Sequence, residues 1–546
     1  MGNVQLILHA HLPFIRHPEH ETFLEETWLF EAISESYIPL LRMLNRLDAD
    51  GIPARITMSF SPSLTAMLQD ELLQARYIEH LNKLVELGEK EVERNRNDDN
   101  FAPLSEMYLQ LYRSNLDLFT GDLQHDILSG FDYHQKKGNI EIITSPGTYP
   151  FLPFYEQYPA NIHAHLEAAL DSHRKVFSRA SNGIWLPECG YFPGLEELLR
   201  EHGINYFFLE AHGILFADNC PKSGTYAPVQ TPAGLFAFAR DVASVNRVWS
   251  ETDGYPGEIS YRDFYRDIGH DLEFDYIKPY IHLEEFRVNT GYKYYAITGN
   301  TQEKQVYRPR EAAKKVAEHA DNFLYSIRER MEKITPLMTR EPVITTPFSA
   351  ELFGHWWFEG VDWLEAVLRK LHKDASGLRP NTPSAYLTDN RDQQQLEPVF
   401  SSWGNKGYAE VWLNGANDWI YRHLHSAIEH MQELVERFPK VSGLKKRALN
   451  QAAREVLLAQ TIDWAVIMRS GASEEYARAR IREHIGNFYF IYESLGQGNL
   501  GTEWLTRIER KNNIFPDIDY RTFAARRSRD NGRMGHPYVV TDKVIK

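Results

Sequence analysis

At 546 residues, with 43% hydrophobic content and a formal charge of −15, the chain has ample sequence for a large buried core. The acidic balance, without a Lys/Arg stripe interleaved with aromatics, argues against a nucleic-acid partner. Two cysteines are too few for a disulfide framework, and no stretch reaches the roughly 18 uninterrupted apolar residues of a membrane span, so a cytoplasmic location without membrane contact is the expectation.

In chain order, short apolar runs recur at 4–11, 54–61, 140–147, 183–190, 205–213, 235–241 and 342–352, and each closes on polar or small residues. Seven such candidate strands alternating with helical pattern predict an α/β fold built on a mostly parallel sheet or barrel. In that architecture chemistry gathers where strands end, which singles out His9, His11, Ser61, Thr148, Glu188, Glu210, Asp241 and Ser349. Two insertions break the alternation. Residues 66–135 read as helical around the polar loop 95–100, while 242–310, rich in Tyr, Gly and Asp, reads as a long irregular excursion. From 396 to 525 apolar residues fall at three and four spacing, which predicts a helical C-terminal domain after a barrel over 1–395. Residues 526–546 read as a basic tail.

Aromatics make up 13% of the chain, and many stand beside polar residues, as in "GHWWFEG" and "WLNGANDW". Sugars stack on such surfaces, because their C–H faces are apolar and their rims want hydrogen bonds. Core packing explains the same residues one at a time.

His9 and His11 lie two apart, so on a strand they share a face, where they suit a zinc ion, a sugar ring or a flanking carboxylate. Glu188 closes a run between Trp185 and Tyr191. A retaining glycosidase needs an ionised carboxylate as nucleophile and a protonated one as acid, about 5 to 5.5 Å apart, and Glu188 suits the first role. A helix-capping surface glutamate is the plainer reading of the same residue.

Five segments, "HAHLPF", "IEIITSPGTYPFLP", "GIWLPECGYFPGLEELL", "AELFGHWWFEG" and "SSWGNKGYAEVWLNGANDWIYRHLH", resemble in order the signature regions of glycoside hydrolase family 57, nearest its α-1,4-glucan branching group. The resemblance spans about residues 4 to 520. It implies a (β/α)7 barrel with an inserted helical region and a helical C-terminal domain. It also implies retaining transfer of α-glucan segments without metal or other cofactor. Glu188 then falls on the nucleophile, and Tyr255 in "GYPG" on a loop tyrosine over the acceptor side. His9, His11, Tyr149, His355, Trp28, Trp249, Trp357, Trp403 and Trp412 become candidates for holding glucose units.

The departures bear most on activity. Where the branching group reads Asp-Ala-Glu-Leu-Phe-Gly-His, with that Asp as acid/base, this chain has Ser349; Glu351 does not replace it, since active members carry that glutamate too. Tyr149 stands where the family usually has His. A serine hydroxyl titrates far above neutrality and cannot by itself give and retake a proton, a loss worth about 100- to 10,000-fold in rate. Low or no turnover is therefore expected, with three explanations open. Glu210, closing the next strand, is a substitute acid; or a substrate group or water supplies the proton; or a silenced protein keeps a glucan groove for binding or regulation. From another class, a zinc-dependent sugar hydrolase or deacetylase would rest on His9 and His11 with Glu188 or Asp241 as third ligand.

Overall fold

The computed structural model describes residues 2–250, 253–281, 286–471 and 473–525. The basic tail expected over 526–546 lies outside the described residues. Seven parallel strands form the centre: β1 (Gly2–Ala10), β2 (Ile56–Phe60), β3 (Ile140–Thr144), β4 (Gly183–Ile184), β5 (Tyr206–Leu209), β6 (Phe236–Ala239) and β7 (Val343–Ser349). Their order is β6-β5-β4-β3-β2-β1-β7. A parallel bridge between Arg240 and Thr345 joins the two ends, with the Asp241 N–H donating to the Thr345 carbonyl at 2.8 Å. The sheet is thus a closed seven-stranded barrel. The short strand Val229–Gln230 adds antiparallel to β6, and Leu378–Pro380 pairs with the start of β1.

Continuous apolar runs form these strands because both faces are covered, the inner by the barrel core and the outer by helices. Every residue of β1 is buried. β4 is only two residues long although the apolar run continues to Gly190, because the chain turns sharply after Trp185. Gly183 is required there: a Cβ would lie 2.2 Å from the Tyr206 ring.

The first insertion is an antiparallel helical pair, Glu71–Asn95 and Ala102–Thr120. The second, expected to be irregular, holds only short helices, yet it is tightly wired. Tyr292 OH donates to the Leu84 carbonyl at 2.6 Å, and Tyr276 and Tyr294 donate to Glu91 at 2.8 and 2.9 Å. The buried Asp267 carboxylate collects the N–H groups of Gly269, Thr290 and Gly291. These tyrosines are pegs that fasten one insertion to the other.

Beyond residue 418 the chain is helical: Trp419–Arg437, Gly443–Ala459, Asp463–Ser470, Glu474–Gln497 and Thr502–Lys511. The helix Gly443–Ala459 is buried over most of its second half, enclosed by its neighbours. These helices dock on the segment after β3. The Thr148 hydroxyl donates to the Leu457 carbonyl, the Ile462 N–H donates to the Tyr149 carbonyl at 3.2 Å, and Asn161 and Gln460 exchange amide hydrogen bonds at 2.7 and 2.9 Å. That docking carries Asp463 to the barrel mouth.

Candidate active site

After β4 the chain passes Pro187 and enters the left-handed region at Glu188 (φ 60°) and Cys189 (φ 51°). Such conformations cost an L-residue about 1–3 kcal/mol and persist where the surroundings hold them. Here the Trp403 N–H donates to the Glu188 carbonyl at 2.9 Å, while the Trp403 indole N–H donates to Glu188 Oε2. One tryptophan thus grips backbone and carboxylate together. Burial pushes the Glu188 carboxyl up to about 7, against the pull of the indole hydrogen bond, and the nearby Asp463 carboxylate adds to the rise.

Around this glutamate lies a stack of rings. His9 is 8% exposed and lies parallel to Trp185, centroids 4.6 Å apart at 6°, with Trp403 tilted at 5.3 Å. Burial, with His11 adding to it, lowers the His9 pKa to about 3, so the imidazole is neutral. Tyr149, also left-handed (φ 64°), stacks on His11 at 3.7 Å, and its hydroxyl accepts the Trp185 indole N–H at 2.9 Å. His11 uses both ring nitrogens, Nδ1 at 2.8 Å from Ser61 Oγ and Nε2 at 2.8 Å from Asp463 Oδ2.

On the other side of β1, Ser349 is in register with His9. Its hydroxyl lies 2.5 Å from Glu351 Oε2. Glu351 Oε1 in turn accepts the Tyr37 hydroxyl at 2.5 Å and the His11 N–H at 3.2 Å. Burial raises the Glu351 pKa. Tyr37 is placed by a π-helix, Ile33–Tyr37, which also aims Glu35 at His355 Nδ1, 2.7 Å away. A widened turn of this kind inside a helix commonly marks a functional site. The Glu35 carboxylate raises the pKa of the His355 imidazole. Gly354 (φ 99°) lets the loop close on that turn, since a Cβ would lie 1.8 Å from the Glu35 carbonyl oxygen.

Of the expected residues, the structure brings together Glu188, Trp403, His9, His11, Tyr149 and Ser349. Several others it places elsewhere. Glu210 is no substitute acid: Oε2 accepts Arg240 Nε at 2.6 Å and Oε1 caps Ala211 N–H at 3.0 Å, so the carboxylate is committed to its cation and its helix. Trp357 and Trp412, each 2% exposed, are core; the first packs on Tyr261, Phe353 and Trp363, the second on Phe151. The exposed ring of the pair is Trp356, stacked on Phe264 at 4.5 Å. Tyr255 is turned into the protein, its hydroxyl donating to Asn322 at 2.8 Å and its ring stacked on His319. Trp28 lies edge-on to Tyr476 at 6.3 Å, and Trp249 ends the helix Val242–Trp249 with its ring exposed.

The zinc alternative fails on donor count. His11 has no nitrogen to spare, and Asp241 accepts Arg330 Nη1 at 2.7 Å on both oxygens while capping a helix. Among the described residues no group of three His, Cys, Asp or Glu is arranged to hold a metal.

Asp463, Tyr37, Glu35 and Trp356 were not legible as site residues. An Asp before a Trp in "TIDW" is the one signal the sequence offers for Asp463, and nothing announces a π-turn.

A closed parallel barrel with a carboxylate fixed at a strand end among indole and imidazole rings defines a carbohydrate-active barrel protein. Comparison with known proteins makes this specific. Residues 5–397 match the family model of glycosyl hydrolase family 57 and residues 423–523 that of the 1,4-alpha-glucan branching enzyme C-terminal region. The chain belongs to glycosyl hydrolase family 57. It is similar to the crystal structure of the alpha-amylase AmyC from Thermotoga maritima, with 41% identity and a TM-score of 0.90 over 96% of this chain and 99% of that one. It is similar too to the branching enzyme of this family from Pyrococcus horikoshii, with 30% identity and a TM-score of 0.86 over 97% and 98%. The 1,4-alpha-glucan branching enzyme of Thermococcus kodakarensis is 29% identical over 95% of this chain and 78% of its own length.

Proposed function

We propose that this protein acts on α-1,4-glucan by double displacement, with Glu188 as nucleophile, transferring glucan segments to form α-1,6 branches at a depressed rate. The observation that carries the reading is the Glu188 carboxylate, held in a left-handed turn by both N–H groups of Trp403. Such a fixed, half-buried carboxylate is what attack at an anomeric carbon requires. The names of the relatives, an alpha-amylase and branching enzymes, support the same α-1,4 bond as the target. His9 and His11 line the position of the sugar being transferred, with the buried Tyr149 packed behind His11, and Trp28, Trp249 and Trp356 offer ring faces for glucose units further out.

The depressed rate follows from Ser349. A single acid/base carboxylate contributes about 100- to 10,000-fold, which bounds how far turnover here falls below that of a carboxylate-bearing site. Incubation with amylose, followed by iodine staining and a count of α-1,6 linkages, tests the activity. Ser349→Asp is expected to raise branch formation by up to about 10,000-fold. Wild-type protein that binds amylose but forms no branches, with Ser349→Asp active, supports the second reading, a silenced glucan-binding protein. That reading has the missing carboxylate itself in its favour.

A further inference from the structure

Glu351 is buried, and its two oxygens are used unequally. Oε1 faces two donors, the Tyr37 hydroxyl at 2.5 Å and the His11 N–H at 3.2 Å, whereas Oε2 faces the Ser349 hydroxyl at 2.5 Å. A proton on this carboxyl therefore sits on Oε2, since Oε1 is already an acceptor twice over. In that state Glu351 donates to Ser349 Oγ, and the serine's own hydrogen is released to point elsewhere. When Glu351 is ionised the same contact runs in reverse, with Ser349 donating. Burial favours the neutral carboxyl, against the hydrogen bonds from Ser349 and Tyr37. A carboxyl and a hydroxyl at this distance can exchange roles without moving, because either oxygen serves as donor or acceptor.

We propose that Ser349 and Glu351 form a two-proton relay that does part of the work of one acid/base carboxylate. The proposal rests on the reading of Glu188 as nucleophile toward α-1,4-glucan. In the first displacement a Glu188 oxygen bonds to the anomeric carbon and the glycosidic C–O bond breaks. The leaving oxygen takes the Ser349 hydrogen, and Ser349 Oγ takes the proton of Glu351, which ends ionised. In the second displacement the 6-hydroxyl oxygen of an acceptor glucan bonds to that carbon and the Glu188 ester bond breaks. The acceptor's proton passes to Ser349 Oγ, and Ser349 returns its own to Glu351. Serine is never an alkoxide at any point, so its high intrinsic pKa is no obstacle. Ser349 is the catalytic residue; Glu351, which acts through it, is a positioning residue that stores the proton.

The test compares amylose with an α-maltotetraosyl fluoride, whose leaving group needs little protonation, using the full-length wild-type, Ser349→Ala and Glu351→Gln proteins. Both variants are expected to lose at least about 100-fold in amylose turnover. Both still release a burst of fluoride equal to the enzyme present. Azide, a nucleophile with no proton to surrender, restores their turnover of the fluoride. Wild-type amylose turnover in mixtures of light and heavy water gives a curved proton inventory, as two protons in flight require, which a purely structural role for Glu351 does not produce. Ser349→Ala is close to isosteric, so the test stands even if Glu351→Gln folds poorly. Amylose turnover in Ser349→Ala equal to wild type, or a linear inventory, overturns the relay. A wild-type protein that gives the fluoride burst but never turns over amylose also overturns it, and leaves Glu188 as nucleophile intact. Absence of any burst or of a covalent adduct on Glu188 refutes the underlying reading and the relay with it.

Discussion

The two halves of the barrel mouth are built to different standards. On the β4 side the Glu188 carboxylate stands in a strained turn, gripped by Trp403 and backed by the His9–Trp185 and His11–Tyr149 ring stacks. On the β7 side the position in register with His9 carries only a hydroxyl, and the nearest acid stands behind it, hydrogen-bonded to Tyr37 and His11. A site under no demand to react would not need its strained half, since left-handed turns and a half-buried acid both cost stability. On the proposed reading the attacking group is whole, and the carboxyl that stores the proton stands one link further from the bond.

Breaking the β4 half produces the largest effect. Glu188→Gln should abolish both glucan transfer and the covalent adduct formed with a 5-fluoro glycosyl fluoride, read by mass spectrometry. The same variant should be more stable than wild type, in a pH-dependent way. The folded-state pKa of Glu188, about 7, lies above the ordinary value of 4.5, so the folded protein holds a proton there that the unfolded chain has lost. Stability therefore falls as pH rises from about 4.5 to 7, and the full penalty is present above 7. Glutamine carries no such penalty. Its thermal midpoint should match wild type near pH 4 and exceed it by on the order of 2 °C above pH 7. An equal midpoint at both pH values would show that Glu188 is not desolvated.

The β7 half breaks at Gly354. Alanine there meets the Glu35 carbonyl oxygen at 1.8 Å and must keep a φ of 99°, so the loop cannot close on the π-turn. Overpacking and backbone strain together should cost about 2–5 kcal/mol in urea unfolding. The fluoride burst from Glu188 should survive in the fraction that remains folded. Loss of burst in parallel with loss of amylose turnover would mean that the two halves are not separable.

Much of this frame is legible in the amino-acid sequence. Six of the seven barrel strands fall within the apolar runs and the seventh, β1, begins two residues before its run, because a strand buried on both faces leaves a plain apolar signal. The hydroxyl at position 349, two residues before Glu351, is equally plain. What fails is the choice among aromatics. Trp356 and Trp357 are neighbours in a turn region with no fixed period, and only the packing of Phe353 and Trp363 decides that the second ring faces inward. The partners of Glu351 are equally hidden, since Tyr37 is 314 residues away and reaches it through a widened helical turn. Asp463 arrives by the docking of a whole helical region. Such contacts come from tertiary packing, which local pattern does not encode.

Trp403→Phe sharpens the comparison without breaking either half. It keeps an aromatic ring and the backbone hydrogen bond but removes the indole N–H that favours ionised Glu188. The acid limb of the pH–rate profile on the activated fluoride should move upward from its position near 7. Ser349→Ala should leave that limb where it is. An unmoved limb in Trp403→Phe would remove Trp403 from the control of the nucleophile.

The smallest expected change is Tyr149→Phe, which asks whether Tyr149 supports the ring stack or only fills space. Phenylalanine retains the face against His11 but leaves the buried Trp185 N–H without the acceptor it now has at 2.9 Å. An unpaired buried donor costs about 1–3 kcal/mol, so a loss of that size in urea unfolding is expected. Since Trp185 carries the parallel stack on His9, its displacement should also weaken amylose binding by a few-fold, by about 3-fold per 0.65 kcal/mol transferred to the sugar site. Destabilisation without any change in affinity would confine Tyr149 to packing. Unchanged stability would mean that the Trp185 indole finds another acceptor once the hydroxyl is gone.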